Sequence, residues 1–446
     1  MNKFKLAGGA VLVAAVVAGV LLYQNGNTAA DDVADNTVLM KQPLTAADAE
    51  AVKRGHYVAI AGDCVACHTI PESKDAYAGG YSISTPFGGI FASNITPDAE
   101  TGIGNWTERD FYRAVRHGKG KEGENLYPAM PYNAYIKVSD QDMHDLWMYM
   151  RSVKPVHNKV PETNLGFPYN IRLAMMGWNL LFFENSGFTP DPTQSAEWNR
   201  GAYLVEGLEH CAACHTAKNI IGGDTSAYLQ GSNLGEWYAP EITSNSYTGI
   251  GNWSNDQVVD YLKLGSNHVA VASGPMAEAV TNSTQHLTDA DLRAIAVYLK
   301  SQPGSDRQKP APLTAETSTQ MKSGENIYAV NCTACHDWKG TGIANLAAGF
   351  ANNPGMQGPD ASSIITTILQ GGRGAVTKGN PTSGAMPSFA WKLSDEQVAA
   401  VATYIRNSWG NAAPAVTAEE VAEKRRLLKL PAQMAESTPE AQNGAH

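Results

Sequence analysis

A mainly helical, loop-rich chain of three consecutive small modules is the fold class that three observations predict: a long internal repeat, a capping box opening each module's last apolar-periodic segment, and weak strand signals throughout. The repeat is explicit. Thr101-Gly-Ile-Gly-Asn-Trp106 recurs as Thr248-Gly-Ile-Gly-Asn-Trp253, an offset of 147 that also relates Cys64 to Cys211. Arg54-Gly55 and Tyr57 return as Arg200-Gly201 and Tyr203, and Asn94-Ile95-Thr96 as Glu241-Ile242-Thr243. A more diverged third copy runs from Gly324 and Tyr328 through Cys332 and His336 to Tyr404. The length of 446 residues agrees, at about 150 residues per domain.

Taken in order, residues 1–30 read as an export signal or an N-terminal anchor. Lys3 and Lys5 precede an uncharged apolar run from Leu6 to Leu22, and Thr28-Ala29-Ala30 offers small residues for cleavage. Seventeen residues is long for a signal core and short for a membrane span, so both readings stand. The first module occupies 42–158, the second 196–302 and the third 318–411. Proline-rich linkers at 159–195 and 303–317 separate them, and 412–446 forms a tail.

Within the modules, Ser139 with Asp142, Thr288 with Asp291 and Ser394 with Gln397 have the spacing of capping boxes. Thr107 with Asp110 and Ser254 with Gln257 open mid-module helices that Gly118 and Gly265 should close. A helix also precedes each cysteine pair, most plainly between Thr45 and Val58. The apolar stretch from Ile171 to Phe183 suits either a partner or membrane surface or a connector helix packed on its own modules, and packing is the expectation. The charged stretch from Ala418 to Leu430 reads as a solvated appendage, with docking on a partner as the alternative.

A net charge of −10, with no block of Lys and Arg, argues against nucleic acid as a partner. All six cysteines fall in Cys-x-x-Cys pairs followed at once by histidine: Cys64, Cys67 and His68; Cys211, Cys214 and His215; Cys332, Cys335 and His336. Such a turn sets two thiols on one side for thioether bonds to the vinyl groups of haem and brings the histidine under the iron. Zinc would need a second ligand pair in each module, and a thioredoxin-like site a βαβ context. Neither is present.

The sixth iron position points to methionine. Met130 and Met276 lie 146 apart in the loop before each module's final helix, and Met386 takes that place in the third. Pro128 and Pro131, Pro275, and Pro387 flank them, as a rigid extended loop would require. His117 and His268 are offset by 151 and have no third counterpart, and Met356 lies out of register. Iron with both axial positions filled transfers electrons rather than binding substrate. No hydrolase, phosphate-loop or nucleotide motif suggests another activity, and the Gly-x-Gly of the repeated hexapeptide reads as a turn.

In Asn94-Ile-Thr-Pro97, Thr101 to Trp106, Leu126-Tyr-Pro-Ala-Met-Pro-Tyr132, Ser283-Thr-Gln-His286 and Ala385-Met-Pro-Ser-Phe389, the chain resembles the triheme cytochrome c subunit of bacterial membrane-bound dehydrogenases for alcohols, gluconate, fructose or aldehydes. The resemblance implies three class I cytochrome c domains, each around one covalent haem c, with His68/Met130, His215/Met276 and His336/Met386 as axial pairs. It also implies a catalytic subunit with a flavin or quinone cofactor, a small third subunit, delivery to ubiquinone or a terminal oxidase, and a place on the periplasmic face of the cytoplasmic membrane. A free-standing multihaem carrier is the alternative, and a multihaem peroxidase a more distant one.

Overall fold

The computed structural model of the chain describes residues 37–85, 87–314 and 318–430; the expected signal or anchor segment, with Lys3, Lys5, the apolar run from Leu6 to Leu22 and Thr28-Ala29-Ala30, lies outside them. The described chain gathers into two compact units. The first contains residues up to Ala213 with Asn219–Asp224 and His286–Ile295, and the second contains Cys214–Lys218, Thr225–Gln285 and residues from Ala296 onward.

In the first unit, a 3-10 turn Ala46–Asp48 leads into α1 (Ala49–Ala61), which ends just before the helical turn Cys64–His68. α2 (Glu108–His117) starts at the full capping box of Thr107 and Asp110 and stops at Gly118, whose φ of 61° only glycine adopts without strain. α3 (Asp140–Ser152) begins at Ser139 and packs across α1, the two helices coming so close at Gly55 that a Cβ there would lie 1.7 Å from the Asp145 carbonyl oxygen. Met143, Trp147 and Met150 of α3 are buried.

α4 (Ala174–Phe182) is the connector helix, and the expectation that it packs on its own modules holds for one face only. Trp178 and Phe183 join Tyr132 and Ile136 in a core cluster, but Leu173, Leu180 and Leu181 are exposed. Nine residues cannot bury their whole circumference against one support, so this helix, apolar but for the buried Asn179 that accepts from Tyr132 Oη, leaves its far side uncovered. α5 (Ala196–Tyr203) then runs directly into a π-helical turn, Leu204–Leu208, before the second cysteine pair. The π-turn accommodates an insertion: eight positions separate Tyr203 from Cys211, against seven from Tyr57 to Cys64.

The second unit contains α6 (Asn255–Leu264), capped by Ser254 with Gln257 and closed by Gly265 at φ 75°, and α7 (Pro275–Asn282). The Ser254 box and the glycine stop match the sequence expectation. α8 (Asp289–Ser301) starts in the first unit and ends in the second. α9 (Thr319–Asn331) leads to the turn Thr333–His336. α9 crosses α11 (Asp395–Arg406) as α1 crosses α3: a Cβ on Gly324 would stand 2.2 Å from the Ala400 carbonyl oxygen.

α10 (Ser362–Gln370), α11 (Asp395–Arg406) and α12 (Ala418–Leu427) surround a core of Tyr328, Ile365, Leu369, Val398, Val401, Ile405 and Val421. The expectation of a solvated tail is therefore wrong over α12. Val421 is fully buried, and Arg425 donates to Asp395 Oδ1 at 2.8 Å and to the carbonyls of Ala390 and Leu393. A run rich in Glu, Lys and Arg can still dock because Val421, with Leu428 and Leu430 just after it, supplies the apolar contact while the long charged side chains reach polar partners at its edge.

Strands are short, as expected. β1 (Ser82–Thr85) and β2 (Gly88–Phe91) form an antiparallel hairpin with Ile83 opposite Ile90, and β3 (Asn164–Leu165) pairs on its far edge. β4 (Ser232–Asn233) pairs with β5 (Tyr238–Ala239), and β6 (Gly372–Arg373) with β7 (Ala385–Met386).

Candidate functional site

The three cysteine turns share one construction. Each histidine ring pairs through Nδ1 with a backbone carbonyl: His68 with Ser93 at 2.7 Å, His215 with Pro240 at 2.6 Å, and His336 with Ala348 at 2.9 Å. Such a bond places the proton on Nδ1 and leaves Nε2 as the lone-pair donor, the tautomer a metal-bound histidine needs. Burial pushes all three imidazoles below the ordinary histidine value, which favours the neutral ring.

All six cysteines are free thiols. Among the described residues, no group of three His, Cys, Asp or Glu side chains is placed to hold a metal ion. The donors thus fit a group that brings its own equatorial ligands: two thiols for covalent attachment and one neutral imidazole for iron.

In the first two modules the residue after the carbonyl that receives the histidine is itself anchored. Beside Ser93, the buried Asn94 donates through Nδ2 to the Val156 carbonyl at 2.8 Å and accepts from the Thr96 amide at 3.0 Å. In the second module Glu241 stands there. It accepts from the hydroxyls of Thr243 and Thr248, each at 2.5 Å, from Ser305 N and Oγ, and from Arg307 Nη1 at 3.1 Å. Burial would raise its pKa, but the Ser305, Thr243 and Thr248 bonds hold it below the usual glutamate value. The Gly-x-Gly turn expected from sequence packs here, since a Cβ on Gly102 or Gly104 would lie 2.4 Å from the carbonyl oxygens of Thr96 or Pro97.

The methionines occupy three settings. Met130 lies in an irregular loop and packs beside Tyr132, Ile136, Trp178 and Phe183. Met386 is in β7, opposite Gly372. Met276 departs from the expected extended loop: it sits in the first turn of α7, because Pro275 at the first helical position starts a helix and no proline follows Met276 to stop it. Met276 packs against Ala272, Ala277, Val280 and Ala375. Met356 lies in the turn Pro354–Gln357 against the third module's core, and its carbonyl accepts from Arg406 Nε. His117 is a core residue between the rings of Tyr112 and Phe183, and burial with the charges of Arg116 and Arg113 pushes its pKa down to about 4.

Sequence reasoning noticed the repeated Arg-Gly-x-Tyr but gave it no role. Arg54 forms a two-point ion pair with Asp145 (2.6 and 2.9 Å), and Arg200 with Asp291 (2.8 and 2.9 Å). The tyrosines are exchanged between modules. Tyr57 Oη donates to Asp291 Oδ2 at 2.6 Å and accepts from Thr288 N at 3.1 Å, while Tyr203 Oη donates to Asp142 Oδ2 at 2.5 Å and accepts from Ser139 N at 3.1 Å. Each tyrosine inserts into the other module's capping box.

Three stretches, 52–154, 199–303 and 321–409, match the cytochrome c family model, and the chain belongs to that family. Its relatives narrow the resemblance. It is 40% identical to the gluconate 2-dehydrogenase cytochrome c subunit of Pantoea cypripedii, covering 84% of this chain and 89% of that one. It is 38% identical to the fructose dehydrogenase cytochrome subunit of Gluconobacter japonicus (84% and 82% covered) and to the cytochrome c subunit of the alcohol dehydrogenase (quinone) of Gluconobacter oxydans (86% and 84%).

Proposed function

We propose that the chain is the electron-transfer subunit of a membrane-bound dehydrogenase and carries three covalent haem c groups, one in each of three class I cytochrome c domains. The observation that carries this reading is the threefold Cys-x-x-Cys-His turn with each histidine Nδ1 committed to a carbonyl. Cys64 and Cys67, Cys211 and Cys214, and Cys332 and Cys335 hold the porphyrins; His68 with Met130, His215 with Met276, and His336 with Met386 are the axial ligands. The bound groups supply one-electron exchange between ferrous and ferric iron. The chain's own residues do the rest: carbonyls orient the imidazoles, and apolar packing holds the thioethers.

Electrons enter from a catalytic subunit with a flavin or quinone cofactor, accompanied by a small third subunit, and leave to ubiquinone or a terminal oxidase at the periplasmic face of the membrane. The exposed apolar side chains around α4 favour a complex over a free carrier: Phe167 is 81% and Ile220 92% exposed, beside Leu173, Leu180 and Leu181. No helix among the described residues is long and apolar enough to cross a membrane.

A pyridine haemochrome assay on protein matured with haem-attachment machinery tests the reading and should return three haems per chain; fewer overturn it. Replacing Met130, Met276 or Met386 by alanine should open one iron to cyanide and lower that centre's potential. A variant that keeps all three potentials and binds no cyanide removes that methionine from the ligand set.

A further inference from the structure

Within the first unit, two side chains that neither attach nor ligate a haem lie between Cys64 and Cys211. Tyr135 is buried, and its hydroxyl donates to the Gly62 carbonyl at 2.7 Å. A Cβ on Gly62 would lie 3.5 Å from Cys64 Sγ and 3.6 Å from Tyr135 Oη, so Gly62 is flanked by both the first attachment cysteine and the phenol. On its other side the Tyr135 ring meets that of His210 edge to face, with centroids 5.6 Å apart. His210 is covalently next to Cys211.

The backbone is shaped to bring His210 there. Its φ is 35°, a left-handed conformation rare for a bulky side chain, and the π-turn Leu204–Leu208 precedes it. An ion pair between Lys137 and Glu206 at 2.5 Å fastens the same π-turn to the segment carrying Tyr135. The extra residue of the second module, absorbed in the π-turn, thus sets where His210 points.

We propose that Tyr135 and His210 form the bridge for electron exchange between the first and second haems, an inference that rests on the three-haem reading above. With haems bound as proposed, one electron would pass between the group held at Cys64 and the group held at Cys211, one being oxidised as the other is reduced. No proton moves, and Tyr135 stays a neutral phenol. Electronic coupling falls steeply across empty space and less steeply through bonded and hydrogen-bonded contacts. The continuous run Cys64, Gly62, Tyr135, His210, Cys211 therefore makes this haem pair exchange faster than a gap filled by aliphatic side chains would allow.

The experiment uses the full haem-loaded chain, reduced sub-stoichiometrically by a pulse of photogenerated deazaflavin radical, with internal redistribution followed optically. In Tyr135→Phe, His210→Phe and His210→Leu, one internal phase should slow at least tenfold in the leucine variant and less in the two phenylalanine variants. The remaining phase, the haem content and all three midpoint potentials should stay as in the parent protein. A purely structural role would not slow one phase selectively. Three bound haems with unchanged rates in every variant overturn the bridge, as does loss of haem in all three, which would show that the residues only hold the turns together. Fewer than three haems in the parent protein overturns instead the reading on which it rests.

Discussion

The first two modules and the third solve the same problem, the exposed amides at the start of the final helix, in different ways. In the third, Ser394 and Gln397 close their own capping box: the Gln397 amide donates to Ser394 Oγ at 3.2 Å and Ser394 N donates to Gln397 Oε1 at 2.9 Å. In the first two, only half of that box forms locally. Ser139 and Thr288 accept from the amides of Asp142 and Asp291, while the reciprocal place is taken by a tyrosine of the other module. The third module has Asn326 where Tyr57 and Tyr203 stand, two positions after the glycine of the helix crossing. The same local motif is therefore complete by itself where no partner module competes for it, and becomes a means of docking where one does.

The feature shared by these regions should give the largest effect when broken. Gly55→Ala and Gly324→Ala each drive a methyl group into a backbone carbonyl on the crossing helix, which cannot turn aside as a side chain could. Each should cost about 3 kcal/mol or more, seen as a marked fall in the thermal midpoint by circular dichroism. A small loss at either site would show that the crossing parts cheaply and that the close approach is incidental.

A second difference separates the first module from the second. His117 ends α2, and Leu264 ends α6 in the equivalent place. Because burial with Arg116 and Arg113 pushes the pKa of His117 down to about 4 in the fold, the unfolded chain takes up a proton first as the pH falls. The stability that depends on neutral His117 is complete above the ordinary histidine pKa and is lost progressively toward pH 4. At pH 5 the loss should reach about 2 kcal/mol relative to pH 7. His117→Leu should flatten that part of the profile, and an unchanged slope would place the acid sensitivity elsewhere.

The exchanged tyrosines give the next effect down. Asp291 is held below the usual aspartate value against burial by Arg200 and Tyr57, and burial with the Asp291 bond pushes the Tyr57 hydroxyl up to about 12. Tyr57→Phe and Tyr203→Phe remove a donor to a carboxylate and an acceptor for a helix amide, about 1.5 kcal/mol each. Gln397→Ala, which breaks only a local box, should cost about 0.5 kcal/mol. Chemical denaturation of the three variants side by side checks the order. Equal losses would mean that the exchange adds nothing beyond ordinary capping.

What the sequence determined by itself is what short-range chemistry decides. Cys-x-x-Cys-His specifies its turn within five residues; Thr107 with Asp110 and Ser254 with Gln257 specify their helix starts within four; and Gly118 and Gly265 end those helices because the left-handed region admits glycine freely. The repeat fixed the place of all three turns. Only the tertiary structure decided the fate of groups whose partners lie far along the chain: Tyr57 and Tyr203 in each other's caps, Tyr135 against His210, Val421 and Arg425 of the charged C-terminal helix in the third module's core, and Met276 in a helix where its neighbours sit in a loop and a strand. A hydroxyl, a ring or a methyl group has no preference for one distant partner that composition or spacing can express; its contacts are set when helices cross and loops close around them.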